Sequence, residues 1–126
     1  MESNIKHFTD LVAWQKNHDL VLKIYQLTKK FPKDELFGLT SQIRRAVVSV
    51  TSNIAEGFGR YYFNEKIRFY RIAKGSATEV QNQLIIAKDL KYITEEEFDK
   101  IKVISFEGYK LTCGIIRAVE KAKKTC

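Results

Sequence analysis

Two stretches of the chain concentrate the residues able to do chemistry. The first, LTSQIRRAVVSVTSNIAEGFGR from Leu39 to Arg60, spaces Gln42, Arg45, Ser49, Asn53 and Glu56 at steps of three or four. On a helix that spacing forms one polar strip beside an apolar one. A similarly spaced line, Arg68, Ile72, Gly75 and Glu79, follows further on, at the flank of the core. If the two flanks face each other, Arg45 can meet Glu79 or Glu56, and Asn53 can bond across the seam. Buried charges need such partners. The strip is therefore read either as a structural network that fixes helix register, made of Arg45, Asn53, Glu56 and Glu79, or as a binding or active site. The second stretch, GRYYFNEKIRFYRIAK, interleaves Arg60, Lys66, Arg68, Arg71 and Lys74 with Tyr61, Tyr62, Phe63, Phe69 and Tyr70. Cations hold phosphates and aromatic rings stack on unpaired bases, so these five basic residues are the candidate nucleic-acid contacts. The competing reading is a helix start with core aromatics and solvated basic residues.

Catalytic constellations do not assemble from the remaining residues. The two histidines, His7 and His18, belong to no HExxH motif and to no Glu-x-x-His pair of the kind that builds di-iron bundles. GFGRYY fails the dinucleotide fingerprint, because Tyr62 stands where its third glycine belongs. Ser49, Ser52 and Ser76 have no positioned His–Asp partner in the sequence. Glu56 and Glu79 could form an acid–base pair, but arginines are the nearer expectation. Cys113 and Cys126 are too far apart for a CxxC motif and read as free thiols of a reducing cytoplasm. The expectation is a protein that is not an enzyme and takes no metal or cofactor.

The elements that must position these residues are long helices. One proline and six glycines in 126 residues leave little punctuation for short strands. The first helix should begin after Thr9, as N-cap, and end before Pro32, which cannot continue it. It is expected to bury a wide face of two neighbouring stripes, Leu11, Trp14, Val21, Tyr25 and Thr28 beside Ala13, Leu20, Ile24, Leu27 and Phe31. The second begins within KDELFGLT and carries the stripe Leu39, Ile43, Ala46, Val50, Ile54 and Gly57. The third starts near Phe63 with Phe69, Ala73, Ser76, Val80, Gln83, Ala87 and Leu90 in line. Gly75 in its interior costs about 1 kcal/mol relative to alanine, for which a close helix contact would be a reason. The fourth opens on Thr94 with Glu97 three residues later, a capping box. The fold expected is all-α, one domain over residues 1–126, an antiparallel up-down-up-down four-helix bundle with helices near 10–30, 36–57, 63–91 and 95–123. On the third helix, Ile67, Tyr70 and Ile85 are expected to face outward and to form an oligomer interface. Val48 and Ala55 do something similar on the second.

Composition fits a globular chain, with 44% apolar and 29% charged residues. Lys and Arg outnumber Asp and Glu by 22 to 15, a net charge of +7 that favours polyanionic partners. The excess is spread along the chain rather than gathered in a tail. MESNIKHFTD has no apolar signal core, and no apolar run approaches the ~20 residues of a spanning helix. A cytoplasmic protein with no membrane association is expected.

Several motifs in combination resemble a known family. They are Asp10-Leu11 with Trp14, Phe31-Pro32 with Glu35, Leu39 to Gln42 with Arg44-Arg45-Ala46, Asn53-Ile54-Ala55-Glu56-Gly57, and Ala73 with Gly75-Ser76 and Glu79. Together they resemble the four-helix-bundle proteins encoded in intervening sequences of bacterial 23S ribosomal RNA genes. Tyr61 and Tyr62 depart from the pattern, standing where a small polar cap is commoner. The resemblance implies an up-down bundle that assembles into a ring-like homo-oligomer, a pentamer. A more distant similarity, to the accessory subunit of diversity-generating retroelements, implies a basic bundle that works with a reverse transcriptase and nucleic acid. The first function expected is non-enzymatic association with RNA or DNA, RNA foremost. The second is an oligomeric scaffold or adaptor for a protein partner.

Overall fold

The computed structural model describes residues 4–125. Four helices make up the fold: α1, Val12–Thr28; α2, Leu39–Phe58; α3, Phe63–Asp89; and α4, Glu95–Thr125. Cross-contacts show that neighbours run antiparallel. Between α2 and α3, Ser49 meets Ser76 while Gly57 lies against Tyr70. Between α3 and α4, Arg71 reaches Glu120 while Lys88 lies over Phe98. Between α1 and α4, Asn17 bonds Gly108 while Lys30 reaches Glu97.

Local chemistry explains the helix ends. Thr94 and Glu97 form the expected capping box, each side chain accepting from the other's backbone N–H at 3.0 and 2.9 Å. The other end of that turn is closed by Lys91, at φ 64°: the N–H groups of Lys91 and Tyr92 donate back to Lys88 and Ala87, a Schellman arrangement. The start of α1 differs from expectation. His7, not Thr9, caps a 3-10 turn over Phe8–Asp10, and α1 proper begins at Val12. Asp10 answers with its carboxylate on the His7 N–H, so the short turn forms its own closed box. α2 begins at Leu39, three residues later than expected from sequence, because Lys33–Glu35 form a separate 3-10 turn after Pro32. Glu35 takes over as the anchor of α2: it accepts from the Leu39 N–H at 3.0 Å and from the Tyr92 hydroxyl at 2.7 Å.

Those bonds have a pH consequence. The Leu39 N–H and the Tyr92 hydroxyl hold the Glu35 carboxyl below the usual range, and the Lys30 ammonium with the Thr94 N–H does the same for Glu97. Carboxyls lowered in the fold add stability that is complete above their unfolded pKa and lost as pH falls through the folded value. Melting temperature should therefore decline below about pH 4.3. In a circular-dichroism series, Glu35→Gln with Glu97→Gln should show a lower neutral plateau and a shallower acid decline.

The core has two apolar compartments. The larger gathers Leu20, Ile24, Ile43, Val47, Val80 and Leu84 with their neighbours. The smaller holds Ala13, Val50, Ile54, Tyr70, Ala73, Ala77 and Ile116. On α1 and α4 a polar layer separates them. Asn17, fully buried, donates its amide to Ala13 O at 2.8 Å and to Gly108 O and Thr112 Oγ1 at 3.2 Å each. Thr112, also fully buried, donates to Gly108 O at 2.9 Å.

Two outward assignments on α3 are corrected. Ile67 and Tyr70 are buried, 6% and 3% exposed, so neither is free to form a subunit contact; Ile85 is outward, at 46%. Ile67 and Ile85 lie eighteen residues apart, five whole helical turns, and so share one face. That face is covered at Ile67, beside the last turns of α4, and left open at Ile85. Tyr70 belongs to the smaller core compartment, where burial raises its hydroxyl to about 12. Gly75 is corrected too: a Cβ there would meet nothing within 4 Å, so no close helix contact accounts for it.

Candidate nucleic-acid interface

The expected polar network is not a buried seam. Arg45, Glu56 and Glu79 are exposed and Asn53 is half-buried. Glu56 pairs with Arg60 at 2.6 Å, one turn on along its own helix, rather than with Arg45. Glu79 accepts from Gln83 at 3.2 Å, and Arg45 enters none of the ion pairs among the described residues. A smaller pair crosses the α2–α3 seam, the Ser49 and Ser76 hydroxyls at 2.8 Å, while Asn53 donates back along its own helix to Ser49 O and Oγ at 2.8 and 3.0 Å rather than across the seam. Arg44, not Arg45, links helices, donating to the Thr28 hydroxyl at 2.8 Å with its guanidinium over the Tyr25 ring.

The five candidate phosphate contacts divide in two. Arg60 is half-buried, held by Glu56 and stacked 4.7 Å from the Phe69 ring centroid. Lys66 donates to Phe58 O at 2.7 Å and to Gly57 O at 3.4 Å, satisfying carbonyls left over at the end of α2. Desolvation lowers its ammonium below the ordinary lysine value. Both are structural groups that close the α2–α3 turn. Arg68, Arg71 and Lys74 are exposed and line the α3–α4 seam.

Along that seam the sequence reading missed half of the site. A groove of about 920 Å³ between the first turns of α3 and the last of α4 is walled by Arg68 and Arg71 on one side and Lys123 and Lys124 on the other. It continues, through Arg71 and Glu120, into a smaller hollow of about 500 Å³ that adds Lys74 and Arg117. Six cations thus face one carboxylate, Glu120, which pairs with Arg71 at 3.0 Å. Their side chains are 64% and 40% exposed, so the pair adds at most about 1 kcal/mol. Lys123 bonds Asn64 at 2.6 Å and fixes the mouth of the groove. The charges at the end of α4 also complement the helix dipole, which is a local reason for lysines there. Their meeting with Arg68 and Arg71 requires α4 to pass antiparallel beside α3.

A second cleft, about 1010 Å³ between α1 and α4, also carries lysines. There three of the four lysines are paired, Lys23 with Asp19, Lys30 with Glu97 and Lys100 with Glu96, which leaves Lys29. The α3–α4 groove has the larger excess, six cations to one carboxylate. Among the described residues no cluster of three or more His, Cys, Asp or Glu could hold a metal, and no helix is long and apolar enough to cross a membrane. His18 stacks on Trp14 with ring centroids 4.6 Å apart. Cys113 is a free thiol beside the basic hollow; Cys126 lies outside the described residues.

Residues 9–114 match the 23S rRNA-intervening sequence protein family. The chain belongs to that family. A crystal structure of a protein of unknown function from the S23 ribosomal protein family, from Bacteroides thetaiotaomicron, superposes with a TM-score of 0.79 at 28% identity. It covers 86% of this chain and 98% of its own. No curated protein sequence matches. The family segment ends at residue 114, so Arg117, Lys123 and Lys124 lie outside it, while Arg68, Arg71 and Lys74 lie within. The groove thus joins the family's third helix to the last turns of α4.

Proposed function

We propose that this member of the 23S rRNA-intervening sequence protein family is a non-enzymatic RNA-binding protein that holds phosphates in the α3–α4 groove. The observation that carries the reading is the imbalance there, six cations to one exposed carboxylate. The net charge of +7 supports it by drawing polyanions to the whole surface. The family's name links such chains with 23S ribosomal RNA. The reading also puts the protein in the cytoplasm.

Fluorescence anisotropy with labelled RNA across a salt series tests it. Each phosphate contact releases counterions, so wild-type affinity should fall steeply with salt. Arg68→Glu, Arg71→Glu and Lys74→Glu together should weaken binding at low salt at least a hundredfold and reduce the log–log salt slope by about three. Lys23→Glu with Lys100→Glu, at paired lysines of the α1–α4 cleft, should change the slope little. A wild type that ignores RNA at low salt, or a slope unaltered by the triple variant, overturns the reading.

A second reading, a homo-oligomeric scaffold, draws on apolar side chains left in water. The upper α3–α4 seam exposes Ile85 and Phe106, and Phe37 is 92% exposed at the α1–α2 turn. In this reading copies of the chain, a pentamer by the family resemblance, or a protein partner such as a reverse transcriptase cover those residues. Light scattering separates the two readings: a monomeric mass at micromolar concentration removes the homo-oligomer.

A further inference from the structure

The aromatic residues beside the groove have separate fates. Tyr70 is in the core, and Phe63 and Phe69 are half-buried, Phe69 beneath the Arg60 guanidinium. Tyr61 and Tyr62 are left in water, 85% and 65% exposed, their rings edge to face at 5.0 Å. Tyr62 opens α3 with its backbone carbonyl, which accepts from the Lys66 N–H at 3.1 Å, but neither side chain takes part. Tyr62 occupies the N-cap of that helix, where Ser, Thr, Asp or Asn would accept a backbone N–H, and its side chain makes no capping bond. Two residues on, Asn64 lines the groove and accepts from Lys123, so the tyrosine pair directly precedes the groove wall along the chain. The groove walls themselves carry no aromatic ring. The walls are suited to phosphates alone, and the exposed ring faces just before them are suited to bases.

We propose that Tyr61 and Tyr62 are a stacking platform for unpaired nucleotides, so that the protein's ligand is single-stranded RNA whose backbone enters the basic groove. The inference rests on the groove reading above and adds to it the class of RNA. A blunt duplex offers the same phosphates but keeps its bases stacked on one another, out of reach of the rings.

The test compares a labelled single-stranded oligoribonucleotide with a blunt RNA duplex of the same length, at fixed low salt. Tyr61→Ala with Tyr62→Ala should weaken single-strand binding about tenfold or more and leave duplex binding, melting temperature and particle mass unchanged. Tyr61→Phe with Tyr62→Phe keeps the ring faces and should bind as wild type. The triple charge-reversal variant should weaken both ligands. If the alanine pair binds both RNAs like wild type while the charge variant loses both, the platform is overturned and the groove reading stands. If the alanine pair changes the particle mass, the tyrosines belong to a subunit contact and the proposal also falls. If wild type binds neither RNA, the groove reading fails first.

Discussion

Replacing Gly108 by alanine should destabilise the bundle by roughly 3 kcal/mol, the balance of overpacking, lost buried bonds and a gain in helix propensity. A Cβ at this position of α4 would lie 2.4 Å from Asn17 Oδ1 and 3.0 Å from its Cγ. Asn17 cannot yield cheaply. It is fully buried and its amide has three acceptors, so rotating away strands a donor where no water reaches. For a chain of this size the melting temperature should drop by about 10 °C. Asn17→Ala in the same chain should recover part of the loss, because it empties the space the new methyl needs. Urea melts of the two single variants and the double should therefore show clear non-additivity. Additive losses would mean that the methyl and the asparagine do not compete for one space.

The second large effect is expected at Gly57, near the end of α2. There a Cβ would meet the Tyr70 ring at 2.7 and 2.8 Å and the Phe69 Cβ at 3.1 Å. The tyrosine ring is locked in the smaller core compartment, so Gly57→Ala should cost about 2 kcal/mol despite alanine's better helix propensity. Gly75→Ala and Gly114→Ala give the contrast. At neither position would a Cβ meet anything within 4 Å, and each substitution should stabilise by about 0.5–1 kcal/mol. One substitution type thus has opposite signs at four sites, decided by what stands opposite. Thermal melts in which all four move the same way would contradict that account.

Why some of this was legible in the sequence, and some not, follows from how far each signal travels along the chain. Thr94 and Glu97 signal a helix start over three residues, and Pro32 ends α1 through its own ring. The α2 stripe through Ile43, Ala46, Val50 and Ile54 is periodic and became core. The α3 face was harder. Ala73, Val80, Gln83 and Ala87 of the expected line are buried, and a second buried line, Ile67, Tyr70, Ala77 and Leu84, runs beside it. Two neighbouring helices widen that face, and Leu90, at the end of the expected line, is exposed. The polar strip on α2 was helical in spacing but could not declare which side faced water. The buried polar layer was the reverse case: Asn17, Gly108 and Thr112 are unremarkable until α1 and α4 come together. The basic groove failed for the same reason, since half of its charge comes from the far end of the chain.

That polar layer also bears on the order of folding. Asn17 reaches across 91 residues to Gly108 and 95 to Thr112, whereas Ser49 and Ser76 are 27 apart. Closing the longer loop costs about 1 kcal/mol more in chain entropy. Arg44 on α2 reaches Thr28 across only 16 residues, so each pair of helices adjacent in the chain closes a shorter loop, and the α1–α4 contact should be the last to close. A contact made after the rate-limiting step leaves the folding rate alone and slows unfolding. Asn17 and Gly108 then govern how long the folded chain lasts rather than how quickly it forms.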